Sequence, residues 1–292
     1  MVKYRSLTIA SMFLLATAAE ARDVDESIDA AADGRVNISN TAGMIEVEGW
    51  SKNSVRVTGE VGERVEELIV ERDGDVVTVK VKAPKRSSSR ISSNILVRVP
   101  EGSSIEVSGV SADITVENVE GEQSLHTVSG DVTTTALADV DAGSVSGDID
   151  IDGDGKSAET KANTVSGDVN LDNVSGEVAA EAVSGDVSII DGVFERVAIE
   201  TVNGDLDFEA KLESGGRLSA TTVNGSVEVV FEGGVSAEFD VSSFNGDIDN
   251  CFGPKPKRTS KYTPGLHLEF TEGGGDGTVT ISTLNGDIEI CN

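Results

Sequence analysis

The stretch Thr201-Val202-Asn203-Gly204-Asp205-Leu206-Asp207-Phe208 decides how this chain is read. Apolar and polar residues alternate along it, the period-2 pattern of a half-buried strand. That pattern assigns Val202, Leu206 and Phe208 to the inner side with Gly204. Its kernel is an apolar residue, Ser or Asn, Gly, Asp and a second apolar residue, and it recurs. It reads Val110-Ser111-Ala112-Asp113-Ile114, then Val128-Ser129-Gly130-Asp131-Val132, then Val145-Ser146-Gly147-Asp148-Ile149. It returns at 165–169, 183–187, 223–227 (with Ser226 in place of Asp), 244–248 and 284–288. The central positions 112, 130, 147, 167, 185, 204, 225, 246 and 286 lie 17 to 21 residues apart, except for a last interval of 40.

A fixed period points to a repeat architecture. The chain is therefore expected to be all-β: a β-solenoid or β-helix of about 19-residue coils, each of two or three short strands. No coil buries its apolar stripe alone, so neighbours stack at ~4.8 Å. A central Gly lets the backbone bend or approach the next wall. An antiparallel meander is the alternative, because Ser-Gly and Asn-Gly also read as hairpin turns. The mid-period phrase Val174-Ser175-Gly176-Glu177-Val178 keeps it open. The solenoid is favoured because only parallel rungs explain a repeated column of Thr, Ser or Asn, and Asp.

These signals divide the chain into a leader (1–21), a flexible N-terminus (22–32), an N-terminal β layer and cap (33–107), and the repeat solenoid (108–292) with a loop insertion at 252–266. Alternating strands are expected at 55–61, 76–82 and 95–99. Residues 62–70 read as a short helix or a strand, and 84–93 as a mobile loop.

The leader rests on Lys3 and Arg5, an apolar run over 6–18, and Ala19-Glu20-Ala21. That order is a secretory signal peptide, with cleavage between Ala21 and Arg22. The run reaches ~20 Å, short of a ~30 Å hydrocarbon core, and no later segment is apolar enough to span. The mature chain is thus expected in the periplasm or at the cell surface. Removing Lys3, Arg5 and Glu20 takes the formal charge from −29 to −30. Such a surface repels nucleic acid and anionic lipid. Aromatics are only 4% of residues, which argues against a glycan groove built on aromatic platforms.

Export also bears on Cys251 and Cys291, the only two cysteines. Each lies five residues after its repeat Gly, so stacking places them at one position of neighbouring coils. Their Cα atoms would then lie ~5 Å apart, within disulfide range, and an oxidising compartment favours the bridge.

The run Ile45-Glu46-Val47-Glu48-Gly49-Trp50, the Val-Ser-Gly-Asp phrases and the ending from Cys251-Phe252-Gly253-Pro254 to Cys291 resemble the bacterial β-strand-repeat family labelled "putative adhesin", a domain of unknown function. The resemblance covers nearly all of the mature chain. It implies a β-solenoid in the bacterial envelope and, for some relatives, association with envelope-stress gene clusters. It brings no catalytic residues.

Little in the sequence points to chemistry. His126 and His267 belong to no metal-ligand spacing, and no nucleophile elbow is present. No cofactor is implied. The Asp column, chiefly Asp131, Asp148, Asp168, Asp186 and Asp205, has three readings: bonding to backbone near the Gly bend, weak cation binding, or paired-carboxylate catalysis. The first is favoured, because an active site breaks a repeat locally and this column is uniform. Calcium β-rolls need Gly-Gly-x-Gly-x-Asp, and the match fails. Two basic islands remain: Lys80, Lys82, Lys85, Arg86 and Arg90; and Lys255, Lys257, Arg258 and Lys261 with Tyr262. The second is the preferred contact loop. The leading function is a non-enzymatic adhesin or envelope scaffold that meets an envelope protein or glycan. Alternatives are a β-helix polysaccharide lyase or hydrolase, and an envelope-stress accessory or sensor.

Overall fold

The computed structural model describes residues 22–84, 91–262 and 264–292. They form one 23-stranded sheet, with no helix among the described residues. The leader and the cleavage point, with Lys85, Arg86 and Arg90, fall outside the described residues.

Each repeat phrase sits at a corner between two strands. Val140–Ser146 leads into Gly147 and Asp148, and Ile149–Gly153 leaves. The next rung does the same with Ser157–Ser166 and Val169–Asp172. Both pairs run parallel, with Ser146 opposite Ser166 and Ile149 opposite Val169. One rung later Ser166 faces Ser184 and Val169 faces Val187. Like positions of the phrase therefore pair, which a meander of hairpins would not produce.

Residues on the inward side are buried. Ile149, Ile151, Leu171, Val187 and Ile189 are at most 2% exposed. The core thickens toward the C-terminal end through the rings of Phe194, Phe208, Phe231 and Phe239, with centroids 5.8, 6.0 and 5.8 Å apart. Phe239 then stacks on Phe270 at 4.3 Å.

Rungs do not follow one another in space as they do in the chain. Leu206–Asn224 pairs not with Ala237–Asn245 but with Gly277–Asn285. Gly277–Asn285 then pairs on its other side with Ala237–Asn245. The spatial order of phrase centres is 225, 286, 246. The chain goes first to the outermost place, returns along Leu266–Glu272 antiparallel to Ala237–Asn245, and fills the gap with its last rung. The doubled interval thus holds a return strand as well as the 252–266 loop.

The N-terminal end has the same device. Arg35–Trp50 lies between Ser104–Glu117 and the strands Val76–Lys82 and Ser93–Pro100. Outside these, Ser54–Val61 and Glu67–Asp73 run antiparallel as covers. Covering an edge this way blocks further parallel strand addition.

Two local expectations change. Residues 22–32 were expected to be flexible, but Arg22–Asp29 pairs along its whole length with Ser54–Val61. Val24 and Ile28 pack against the core, and Arg56 donates two hydrogen bonds to Asp25, at 2.9 and 2.8 Å. The helical reading of 62–70 fails as well. Glu67–Asp73 is a strand, with Leu68 and Val70 facing Val81 and Val79 across the hairpin.

Candidate functional site

The corner of the stack repeats one bonding scheme. In seven of the nine phrases the residue before it is a buried Thr or Ser whose hydroxyl donates to the carbonyl at the centre of the neighbouring rung. Thr164 reaches Gly147 at 3.1 Å, Thr201 reaches Gly185 at 3.1 Å and Thr283 reaches Gly225 at 3.0 Å. In the later rungs the second letter is Asn, and its amides form a chain. Asn224 donates to Asn203, Asn285 to Asn224 and Asn245 to Asn285, at 2.8 to 2.9 Å.

Gly is required by proximity. A Cβ at Gly147, Gly185, Gly204 or Gly225 would fall inside the van der Waals shell of the adjacent rung's Gly carbonyl oxygen. The central glycines stack backbone on backbone.

The Asp column bonds to backbone. Asp131 Oδ1 accepts from the Asp148 amide at 3.0 Å, and Asp148 from the Asp168 amide at 2.9 Å. Asp168 accepts from Asp186, and Asp186 from Asp205, both at 2.8 Å. Asp205 accepts from Ser226 at 2.7 Å. Ser226 then offers no carboxylate to the inserted Gly286 rung, and beyond it Asp287 accepts from Asp247 at 2.8 Å. Charge-assisted bonds to backbone N–H groups are among the stronger hydrogen bonds, which accounts for Asp here.

Two residues beyond the column, the parallel register sets Asp207, Glu228, Glu289 and Asp249 side by side. Like charges directly opposite one another destabilise a sheet. Desolvation, and then the carboxylates of Asp205 and Asp186, hold the Asp207 carboxyl above its ordinary 3.8. The folded chain therefore binds this proton more readily than the unfolded chain, and stability falls as pH rises from 3.8 through the raised value. Asp207→Asn should melt about 1–3 °C above the parent at pH 7 and with it at pH 3. Thermal melts at the two pH values check this, and a gap of the same size at both would refute it.

The other sequence-predicted residues scatter. Cys251 and Cys291 form a disulfide with Cα atoms 5.0 Å apart. Lys255, Lys257, Arg258, Lys261 and Tyr262 lie together at the Gly246 end of the stack, and all are exposed. Lys257–Arg258 pairs with the return strand, and the Lys261 ammonium sits 5.7 Å from the Tyr262 ring centroid. Of the other island, Lys82 pairs with Glu66 at 3.4 Å. His126 and His267 are far apart on the outer face, where His267 Nε2 meets Asp240 at 2.9 Å. None of these joins the Asp column in one pocket.

Sequence reasoning misplaced the leading apolar residue of the phrase. Val202 was assigned inward with Leu206 and Phe208, yet Val202 is 41% exposed while the other two are 1% exposed. Alternation fails because the corner intervenes. Thr201 is the last inward residue, and the next inward one is Leu206. The same holds for Val110, Val128, Val145, Val165, Val183 and Val223, and for Leu284 and Phe244, all exposed. Beside four of these valines runs a shallow furrow of about 420 Å³, whose lining includes Glu181, Glu200, Thr164 and Thr201. The sequence shows the Thr of the repeated column, but not that it faces inward and so turns the Val after it outward.

No curated protein matches the chain. Several solved structures are similar in outline. A "putative adhesin" from Bacteroides fragilis is 12% identical, with 94% of this chain and 98% of that one covered and a TM-score of 0.41. A "putative lipid binding protein" from Parabacteroides distasonis is also 12% identical, with 92% and 96% covered and a TM-score of 0.41. A "putative adhesin" from the same species is 13% identical, with 93% and 98% covered and a TM-score of 0.36. The model of the Toastrack DUF4097 family, a domain of unknown function, matches residues 27–291, and the chain belongs to that family.

Proposed function

We propose that this chain is an extracytoplasmic, non-enzymatic β-solenoid of about 19-residue coils that serves as an adhesin or envelope interaction scaffold. The observation that supports this is the corner itself, which repeats the same outward side chains rung after rung. Such a surface suits extended contact rather than chemistry at one convergent point. The Cys251–Cys291 disulfide fits an oxidising compartment. The exposed Lys255, Lys257, Arg258 and Lys261 offer a second, basic contact at one end.

Fractionation of cells expressing the full chain tests the reading. The mature protein should begin at Arg22, leave the cytoplasm, and cross-link in intact cells to an envelope component. Retention in the cytoplasm, or cleavage of acidic polysaccharide by the purified protein, would overturn it.

A further inference from the structure

At the repeated corner, side chain or backbone of most positions bonds one rung to the next, and the side chain of the leading Val has no such role. The preceding Thr or Ser bonds through its hydroxyl, the Ser or Asn through its carbonyl or amide, the Gly through its backbone and the Asp through its carboxylate. The leading Val points outward, half covered by its own neighbours and 36 to 50% exposed from Val110 through Val223. Register places Ser146 on Ser166, Ser184, Asn203 and Asn224, so the valines one residue earlier also form a line. Leu284 and Phe244 continue it through Asn285 and Asn245.

Nine outward side chains at ~4.8 Å intervals make an apolar ridge about 40 Å long. Single exposed apolar residues are ordinary, whereas a contiguous row marks an interaction site. Carboxylates border the ridge along one side and, on the other, its middle rungs. Across the corner runs the Asp131 to Asp205 column, and along the furrow stand Glu181 and Glu200.

Resting on the interaction-protein reading above, we propose that this ridge is a docking track for a cationic amphipathic helix of a partner protein. Charge selects the occupant. A second copy brings the same acidic borders, and an anionic bilayer brings like charge, so both are repelled. A helix with an apolar stripe flanked by Lys or Arg complements the apolar row and both borders.

Spacing selects a helix over a strand. One face of a helix recurs every ~5.4 Å, about 0.6 Å from the ridge interval. Alternate residues of a strand recur every ~6.7 Å and lose register within two steps. Three to four helical turns can follow the ridge before the drift reaches half a rung.

The probe is a synthetic 18-residue Leu/Lys amphipathic peptide, with a scrambled peptide of identical composition as its partner. Binding to the full mature chain is read by fluorescence anisotropy, and peptide helicity by circular dichroism. The patterned peptide should bind at least 10-fold tighter than the scrambled one, become helical, and weaken as salt rises. Val183→Thr with Val202→Thr leaves the charge unchanged and should cost about 10-fold in affinity. Glu181→Gln with Glu200→Gln should flatten the salt dependence and leaves the ridge intact, a second route should the Thr pair misfold.

Equal binding of the two peptides, or no loss in a folded Thr pair, overturns the proposal. Val-dependent sedimentation with phosphatidylcholine vesicles would assign the ridge to lipid, and a dimer dissolved by the Thr pair would assign it to a second copy; either overturns it. Val-dependent peptide binding in a chain that never leaves the cytoplasm would instead sink only the localisation reading. Envelope cross-links untouched by the Thr pair would sink only the ridge.

Discussion

Gly185→Ala should cost about 4 kcal/mol or more and lower the melting temperature by on the order of 10 °C. The added methyl group meets backbone, not a flexible side chain. It falls on the Gly167 carbonyl and lies 3.0 Å from Asp168 Oδ1. The rungs can separate only by stretching three bonds at one corner. These are the Gly167 amide to Ser184, at 3.2 Å, the Val169 amide to Asp186, at 3.0 Å, and the Asp186 amide to Asp168, at 2.8 Å. The neighbouring Ser184 is exposed, and Ser184→Ala should stay within about 0.5 kcal/mol of the parent. Melting curves of both variants decide the matter. A Gly185→Ala protein melting within two degrees of the parent would mean that the glycines are not close-packed.

Loss of the disulfide is the second large effect. Loop-entropy reasoning gives ~4 kcal/mol for a bridge closing 40 residues. Cys251 follows the outermost rung and Cys291 ends the inserted one, so the bond ties an edge to an interior strand. Cys291→Ser should therefore release Ala237–Asn245 and its return strand first, while amides near Gly130 keep their exchange protection. Hydrogen exchange followed by peptide mass spectrometry reads this directly. Uniform loss of protection along the stack, or free thiols in natively exported parent protein, would refute it.

The parts that sequence made legible were those carried by spacing. A repeated Val-Ser-Gly-Asp phrase indicated parallel stacking, and two cysteines at one offset from Gly246 and Gly286 indicated their bridge. What stayed hidden was the order of rungs. Asn224 can donate or accept equally well with Asn245 or Asn285, so no residue declares which rung is next. The direction of Val202 was hidden too, because an alternating pattern carries no mark of a corner where two successive residues both face out. Arg22–Asp29 looked flexible because it is polar, and its strand depends on pairing with a segment 25 to 39 residues further on.

The out-of-order C-terminal rung has a mechanical consequence. A pull on Asn292 does not peel a strand from the rim. It drags Ile288–Cys291 lengthwise between Val227–Phe231 and Ile248–Asn250, loading two parallel ladders in shear. Shear breaks many hydrogen bonds together, where peeling breaks them one at a time. With Cys291 also bound to Cys251, traction on this end is shared with the outermost rung before any backbone bond in the ladder must yield.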